Sequence, residues 1–179
     1  MRTEAAAKRY AQAAFAVALE YEEVERWTED LDALATLMGE PRAAAFLESD
    51  KVSDADKRAL LETALSDVNP RALNLAQLLV DKRRVGLADQ IRQEFHALLD
   101  EYRGIARATV TTAVPMSDEE TQTVAARLSQ VTGKQVIVQP RVDPAILGGL
   151  VARIGDTLID GSVRSRLLAL KRQLEGHAS

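Results

Sequence analysis

Cysteine is absent from the 179 residues, and the chain has only two histidines, His96 and His177. Without cysteine there is no disulfide framework, no thiolate metal site and no cysteine nucleophile. His177 lies in a short polar tail, which leaves a single imidazole for any site inside the fold. The sequence also lacks the Walker phosphate loop, the G-x-S-x-G elbow and the H-E-x-x-H zinc motif. We therefore expect no catalytic, cofactor-binding or metal-binding residues.

Aromatic residues are scarce as well, at 4%, and there is no excess of basic charge. With 23 basic and 27 acidic side chains the formal net charge is −4, which argues against a nucleic-acid partner. No run of 18 uncharged apolar residues occurs, so membrane association is expected only indirectly, through partners. The N-terminus has no signal-peptide pattern, and we expect a cytoplasmic protein.

Helix start and stop signals are abundant in the first 104 residues. Gly39 precedes Pro41, Ser53 precedes Asp56 by three positions, and Asn69 stands before a proline. Apolar residues recur between these signals at spacings of three and four. The pattern predicts an antiparallel bundle of six helices, at about 4–20, 23–38, 41–48, 53–66, 70–82 and 85–103.

The pattern changes after Gly104, where alternating β-branched residues replace the helical period. We expect strands at 105–114 and 135–142, a capped helix from 117 to 133, an extended region at 150–159 and a last helix at 162–174. Residues 1–104 carry net charge −6 (14 basic, 20 acidic) and residues 105–179 carry +2 (9 basic, 7 acidic). The predicted class is α+β, with an N-terminal six-helix bundle (1–104) followed by a smaller α/β domain (105–179).

Two predicted helices have more apolar surface than one core-facing stripe requires. The first has an apolar row on each side, and the fifth has only a narrow polar strip. Such surface is either buried by neighbouring helices in a thick core or forms a groove for an amphipathic helix of another chain. The one tryptophan, Trp27, is expected to pack at a helix contact.

One segment, residues 154–164, resembles an anion site, because its Asp-Gly-Ser sequence could place backbone donors at a helix N-terminus. A turn followed by a helix cap explains the same residues equally well. An anion-using enzyme centred on Asp156 and Asp160 is therefore one alternative hypothesis.

Two sets of motifs resemble a known family. The N-terminal set is AKRYAQAAF at 7–15 and VERW at 24–27. The C-terminal set is VIV at 136–138, VD at 142–143, ILGGL at 146–150, RIGD at 153–156 and IDGSVR at 159–164. In order and spacing these resemble the delta subunit of F-type ATP synthase, called the oligomycin-sensitivity-conferring protein in mitochondria.

The resemblance implies a non-catalytic subunit of the peripheral stalk, without a cofactor, at the cytoplasmic face of the bacterial cell membrane. Its N-terminal domain would bind the N-terminal helices of the alpha subunits, and its C-terminal domain the C-terminal ends of the b-type stalk subunits. By position, the candidates for the alpha-binding groove are Tyr10, Ala14, Val17, Leu75, Leu78 and Leu79. The C-terminal motif residues, expected to set backbone shape, are Gly148, Gly149, Gly155, Asp156, Asp160, Gly161 and Ser162. The alternative is a cytoplasmic helical adaptor that captures an amphipathic partner helix in a regulatory complex.

Overall fold

A computed structural model describes residues 2–146, 148–161 and 163. The backbone divides into two compact units, Met1–Asp100 and Glu101–Ser179, each of which is described by itself. Within the described residues there are seven α-helices and one four-stranded sheet. The expected α+β class is confirmed.

The first unit is helical. Its α-helices are α1 (Arg2–Glu20), α2 (Val24–Gly39), α3 (Pro41–Glu48), α4 (Asp54–Ala64), α5 (Pro70–Asp81) and α6 (Ala88–Tyr102), with a 3₁₀ turn at Val85–Leu87. The prediction of one continuous helix over 85–103 was wrong in its first turn. Gly86 weakens the helix there, and a 3₁₀ turn buries both Val85 and Leu87.

Side-chain caps explain where several helices begin. The Ser53 hydroxyl accepts a hydrogen bond from the Asp56 amide (3.1 Å), and the Asn69 side chain accepts one from the Arg71 amide (2.9 Å). Pro41 occupies the first helical position of α3, where its missing N–H costs nothing. The predicted starts of α3, α4 and α5 are confirmed.

The core of the first unit is centred on an aromatic cluster. Phe95 of α6 is fully buried, meets the Phe15 ring edge to face at 5.2 Å, and stacks on Trp27 at 6.5 Å between ring centroids. Ala11 and Ala18 of α1 are also fully buried. Because alanine adds almost no bulk, α1 packs closely against this cluster.

The second unit contains β1 (Ile105–Thr112), α7 (Asp118–Thr132), β2 (Gln135–Val142), β3 (Leu150–Ile154) and β4 (Thr157–Asp160). The strand order is β2-β1-β3-β4, so β2 and β4 lie at the two edges. Strand β1 pairs with β2 in parallel and with β3 in antiparallel orientation, and β3 and β4 form a hairpin. The strand expected at 105–114 ends two residues earlier, at Thr112. Apart from Val163, the predicted helix at 162–174 lies outside the described residues.

Helix α7 provides the connection that a parallel strand pair requires. Ser117 and Glu120 form the predicted capping box, and Gly133 ends the helix with a left-handed φ of 68°. The buried core beneath α7 comprises Ala108, Val110, Leu128, Val136 and Ala152.

We predict that Phe95→Ala lowers the free energy of unfolding of the first unit by about 3–5 kcal/mol, because it leaves a cavity between two aromatic rings. Urea denaturation followed by circular dichroism measures this loss. The matched control is Phe46→Ala on α3, where the ring is 37% exposed and the loss should be less than half as large. Equal losses in the two variants would contradict the assigned aromatic core.

Candidate functional site

A groove of about 540 Å³ lies on the first unit between α1 and α5. Its lining residues are Tyr10, Ala13, Ala14, Val17, Glu20, Tyr21, Trp27, Arg71, Asn74, Leu75 and Leu78. Most of these side chains are apolar, and the polar ones are concentrated toward Glu20 and Arg71. The groove therefore offers an apolar surface with charge at its margin.

Helix α1 forms one wall of the groove with one of its two apolar rows. Ala11 and Ala18 are fully buried in the core, whereas Tyr10 and Val17 are only partly buried and line the groove. Ala14 lies between the two rows and contributes to both the core and the groove. Tyr10 and Val17 thus face the groove, and Ala14 lines it from a largely buried position.

Helix α5 forms the opposite wall, with one difference from the sequence-based assignment. Leu75 and Leu78 line the groove, and Leu78 is 40% exposed. Leu79 is 1% exposed and belongs to the core with Ala72 and Ala76, so it does not line the groove. Successive residues of an α-helix are rotated by about 100° around its axis. Leu79 therefore faces the core, whereas its neighbour Leu78 faces the groove.

Trp27 lines the groove from α2. The sequence predicts it to pack at a helix contact, with a rim role as a second possibility. It is buried and stacked on Phe95, which makes it part of the core as well. Among the described residues its indole Nε1 has no hydrogen-bond partner. The Trp27 side chain therefore belongs both to the lining of the groove and to the aromatic core.

Two tyrosine–arginine contacts join the walls at opposite ends of the groove. The Arg84 guanidinium donates a hydrogen bond to the Tyr10 hydroxyl (2.9 Å), and the Arg71 guanidinium lies 3.6 Å from the centre of the Tyr21 ring. The middle of α1 thus lies near the residues that follow α5, and the residues that follow α1 lie against the start of α5. The two walls are antiparallel.

A buried carboxylate anchors the start of α5. Asp30 Oδ2 accepts a hydrogen bond from the Asn69 amide (3.1 Å), and the Asn69 side-chain amide donates to Glu23 (2.7 Å). Burial raises the pKa of Asp30, while the hydrogen bond from Asn69 and the nearby Arg26 guanidinium act in the opposite direction. Since Asn69 also caps α5, this network fixes the helix that carries Arg71 and Leu75.

A second concavity, of about 490 Å³, lies on the second unit. It is lined by Thr112, Ala113, Val114, Pro115, Met116, Glu119, Glu120, Thr123, Val124, Gly148, Gly149 and Leu150. Gly148 and Gly149 have φ values of 138° and 80°, which side chains rarely adopt. The glycine pair therefore shapes the wall of this concavity through its backbone.

The remaining motif residues belong to the β3–β4 hairpin. Gly155 makes the turn with φ of 54°, and the Gly161 amide donates to the Leu150 carbonyl (2.9 Å). Asp156 lies in the turn and Asp160 at the far end of β4, about 13 Å away along an extended strand. The two carboxylates do not converge on one site, and Ser162 lies outside the described residues.

Three further observations concern metal-ligating side chains, His96 and helix hydropathy. Among residues 2–146, 148–161 and 163, no group of three metal-ligating side chains comes together. His96 is engaged with Asp32 at 3.1 Å. None of the helices in this part of the chain combines the length and hydropathy that a transmembrane segment requires.

Comparison with known proteins gives one consistent result. A family model described as ATP synthase delta (OSCP) subunit matches residues 6–174. A curated protein named ATP synthase subunit delta from Dehalococcoides mccartyi is 42% identical over 173 residues, which are 97% of this chain and 96% of the relative. One with the same name from Gemmatimonas aurantiaca is 39% identical over 175 residues, 97% of this chain and 95% of the relative.

Among solved structures, a chain in the cryo-EM structure of the Toxoplasma gondii mitochondrial ATP synthase hexamer has a similar fold. The TM-score is 0.65 at 22% identity, over 94% of this chain and 96% of that one. At this identity the likeness shows a common fold.

We predict a specific pH dependence from Asp30. Its pKa is raised above the ordinary 3.8, so the folded state takes up a proton at higher pH than the unfolded state. The contribution of Asp30 to stability is therefore largest at low pH and is lost as the pH rises through the folded pKa. Relative to Asp30→Asn, which does not titrate at this position, the wild-type chain should become progressively more stable as the pH falls from 7 toward 4.

Urea denaturation of both proteins across this range measures the difference in unfolding free energy. The other carboxylates titrate in both proteins, so their contribution to the pH dependence of stability cancels in the comparison with Asp30→Asn. A difference that stays constant, or that shrinks on acidification, would contradict the assigned role of burial.

Proposed function

This chain belongs to the ATP synthase delta (OSCP) subunit family, and we propose that its α1–α5 groove binds the N-terminal helix of an alpha subunit of the catalytic head. As a family member the chain is a non-catalytic stator component of the peripheral stalk. That stalk links the catalytic head to the membrane-anchored part of the enzyme. ATP is made by other subunits, and this subunit helps to keep the head stationary against the torque of the rotor.

The observation that carries the proposal is the convergence of five sequence-selected residues on one groove. Tyr10, Ala14 and Val17 come from α1, and Leu75 and Leu78 come from α5. In this groove a 40% exposed leucine, Leu78, lies beside partly buried aromatic and aliphatic side chains. An amphipathic helix can cover such a surface with its own apolar residues, which recur at spacings of three and four.

The mechanical role favours such a contact. A stator must stay attached while the rotor applies torque, so its contacts need slow dissociation. Exposed ion pairs contribute only about 0–1 kcal/mol each. Apolar burial contributes about 25 cal/mol per Å² before association costs, which makes the groove the stronger source of attachment.

We propose the second unit as the binding site for the C-terminal ends of the b-type stalk subunits. Its concavity is lined by Val114, Met116, Val124 and Leu150 and is open to solvent, with Val114 68% exposed. On this proposal residues 1–104 act as a six-helix bundle for the head and residues 105–179 as a domain for the stalk.

We place the subunit at the cytoplasmic face of the bacterial cell membrane, held there only by its partners. The bacterial origin of the named relatives supports this location. No finding favours a regulatory adaptor. The family match extends through the second unit, and an adaptor that captures its partner with the helical unit would not need that second unit.

We predict that Leu78→Asp weakens binding of the full chain to a synthetic alpha N-terminal peptide by about ten-fold or more, because it places a charge in the apolar contact. Calorimetric titration measures the affinity, and circular dichroism should show unchanged helix content. The matched control is Leu79→Asp, one residue along, where a buried charge should unfold much of the first unit. Wild-type affinity in Leu78→Asp would show that the groove is not the contact.

For the second unit, we predict that Val114→Asp reduces binding of a C-terminal b-subunit peptide to the full chain by about ten-fold, since Val114 lines the concavity. The matched control is Val131→Asp, at an α7 position that is 75% exposed and outside the concavity. The control should bind as the wild type does. Equal affinities for all three proteins would locate the stalk contact elsewhere on the chain.

A further inference from the structure

Helix α1 ends in a Schellman motif whose left-handed residue is not a glycine. The Glu22 amide donates to the Leu19 carbonyl (3.2 Å). The next amide, that of Glu23, donates to the Ala18 carbonyl five residues back (2.8 Å). Glu22 has a φ of 55°, which residues with a side chain rarely adopt. The chain therefore reverses at Glu22, and Glu23 is the first residue beyond the turn.

Helix α5, the opposite wall of the groove, ends in the same motif. The Arg83 amide donates to the Val80 carbonyl (2.9 Å), and the Arg84 amide donates to Leu79 (2.7 Å). Arg83 has a φ of 52°. In the part of the chain that the structure describes, Glu22 and Arg83 are the two residues other than glycine with a positive φ. Both therefore mark the end of a groove wall.

In each wall the residue after the left-handed turn reaches the other wall. The Glu23 carboxylate accepts a hydrogen bond from the Asn69 side-chain amide (2.7 Å) and pairs with Arg71 (3.3 Å), at the start of α5. The Arg84 guanidinium donates to the Tyr10 hydroxyl of α1 (2.9 Å) and lies 5.7 Å from the centre of its ring. Each wall is thus tied to the other by a side chain that follows its own C-terminal end.

These crossing contacts matter because the two walls do not pack closely on each other. Helix α1 packs against α2, and α5 packs against α2 and α4. The groove lies between α1 and α5. Side chains that cross from one wall to the other are therefore what can fix the distance between them.

We propose that Glu23 and Arg84 are positioning residues of the groove, which together fix the separation of α1 and α5 before a partner binds. The left-handed turns at Glu22 and Arg83 direct these two side chains to the opposite wall. A groove whose walls are already correctly spaced loses less conformational freedom on binding, so its affinity is higher. This inference rests on the proposed helix-binding function and names the residues that prepare the site for it.

The first test is a double-mutant cycle on Arg84 and Tyr10. Titration calorimetry measures binding of the alpha N-terminal peptide to the full chain in Arg84→Ala, in Tyr10→Phe and in the double variant. Because Arg84 acts by holding Tyr10, each single change should lower the affinity about five-fold, and the second change should add less than about two-fold.

The competing role for Arg84 is direct attraction of an acidic side chain of the partner. In that case the two losses multiply to about 25-fold, and the loss in Arg84→Ala disappears at about 0.5 M salt because exposed charges are screened. Either result overturns the positioning role of Arg84.

The second test separates the backbone turn from the side chain that carries it. Arg83→Gly and Arg83→Val both remove the ion pair with Asp50, but glycine favours a positive φ and valine opposes it. The glycine variant should bind the peptide about five-fold more tightly than the valine variant. Glu22→Gly and Glu22→Val form a matched pair at the other wall. Where a valine variant loses helix content, alanine replaces it, and equal affinities within both pairs overturn the role of the turns.

The third test needs no partner, because the single tryptophan lines the groove. Acrylamide quenching of Trp27 fluorescence in the free full chain should increase about two-fold in Arg84→Ala and in Glu23→Ala, since the walls then separate more often. The matched control is Arg92→Ala, which removes an arginine of α6 that pairs with Asp32 and Asp89. An equal increase in all three variants would indicate general loosening of the unit and overturn the positioning role.

The outcomes also separate this inference from the proposed function. If the folded wild-type chain does not bind the peptide, the groove contact is wrong, and the affinity-based role of Glu23 and Arg84 is wrong with it. If the wild-type chain binds, and both affinity and quenching are unaltered in Arg84→Ala and Glu23→Ala, the groove contact stands and the positioning role is overturned.

Discussion

The close packing of α1 against the aromatic cluster is the constraint on which the first unit depends. Ala11 and Ala18 are fully buried in the same core as Phe95, and Phe15 of this helix contacts the Phe95 ring. The same closeness leaves the outward row, with Tyr10 and Val17, at the surface beside α5. A larger core residue on α1 would push the helix outward and close or distort the groove. Stability of the unit and shape of its groove therefore derive from the same small side chains.

Much of this fold follows from local signals in the sequence. Ser53, Asn69-Pro70 and the Ser117–Glu120 box each satisfy backbone donors within three residues, so their effect is readable without tertiary information. The hairpin turn at Gly155 is equally local. The 3₁₀ turn at Val85–Leu87 is different, because it depends on burying two side chains that a regular helix would leave on different faces.

The groove could be predicted from the sequence only in part. The sequence shows the excess apolar surface on α1 and α5. The boundary between core and groove runs between Leu78 and Leu79, and its position depends on how α5 packs. Trp27 comes from α2, and Arg71 and Tyr21 meet across a contact of 50 sequence positions. Periodicity describes one helix at a time. Contributions from a third element, and pairs formed between distant segments, need the assembled structure.

The sheet of the second unit has a bearing on the subunit before it joins a complex. Its edge strand β2 contains Pro140, which has no backbone N–H to offer a further strand, and the opposite edge strand, β4, is only four residues long. Both features discourage a second copy from extending the sheet by edge-to-edge pairing. Both edges are therefore poor templates for a strand from another copy, which lowers the tendency of the free subunit to aggregate through its sheet.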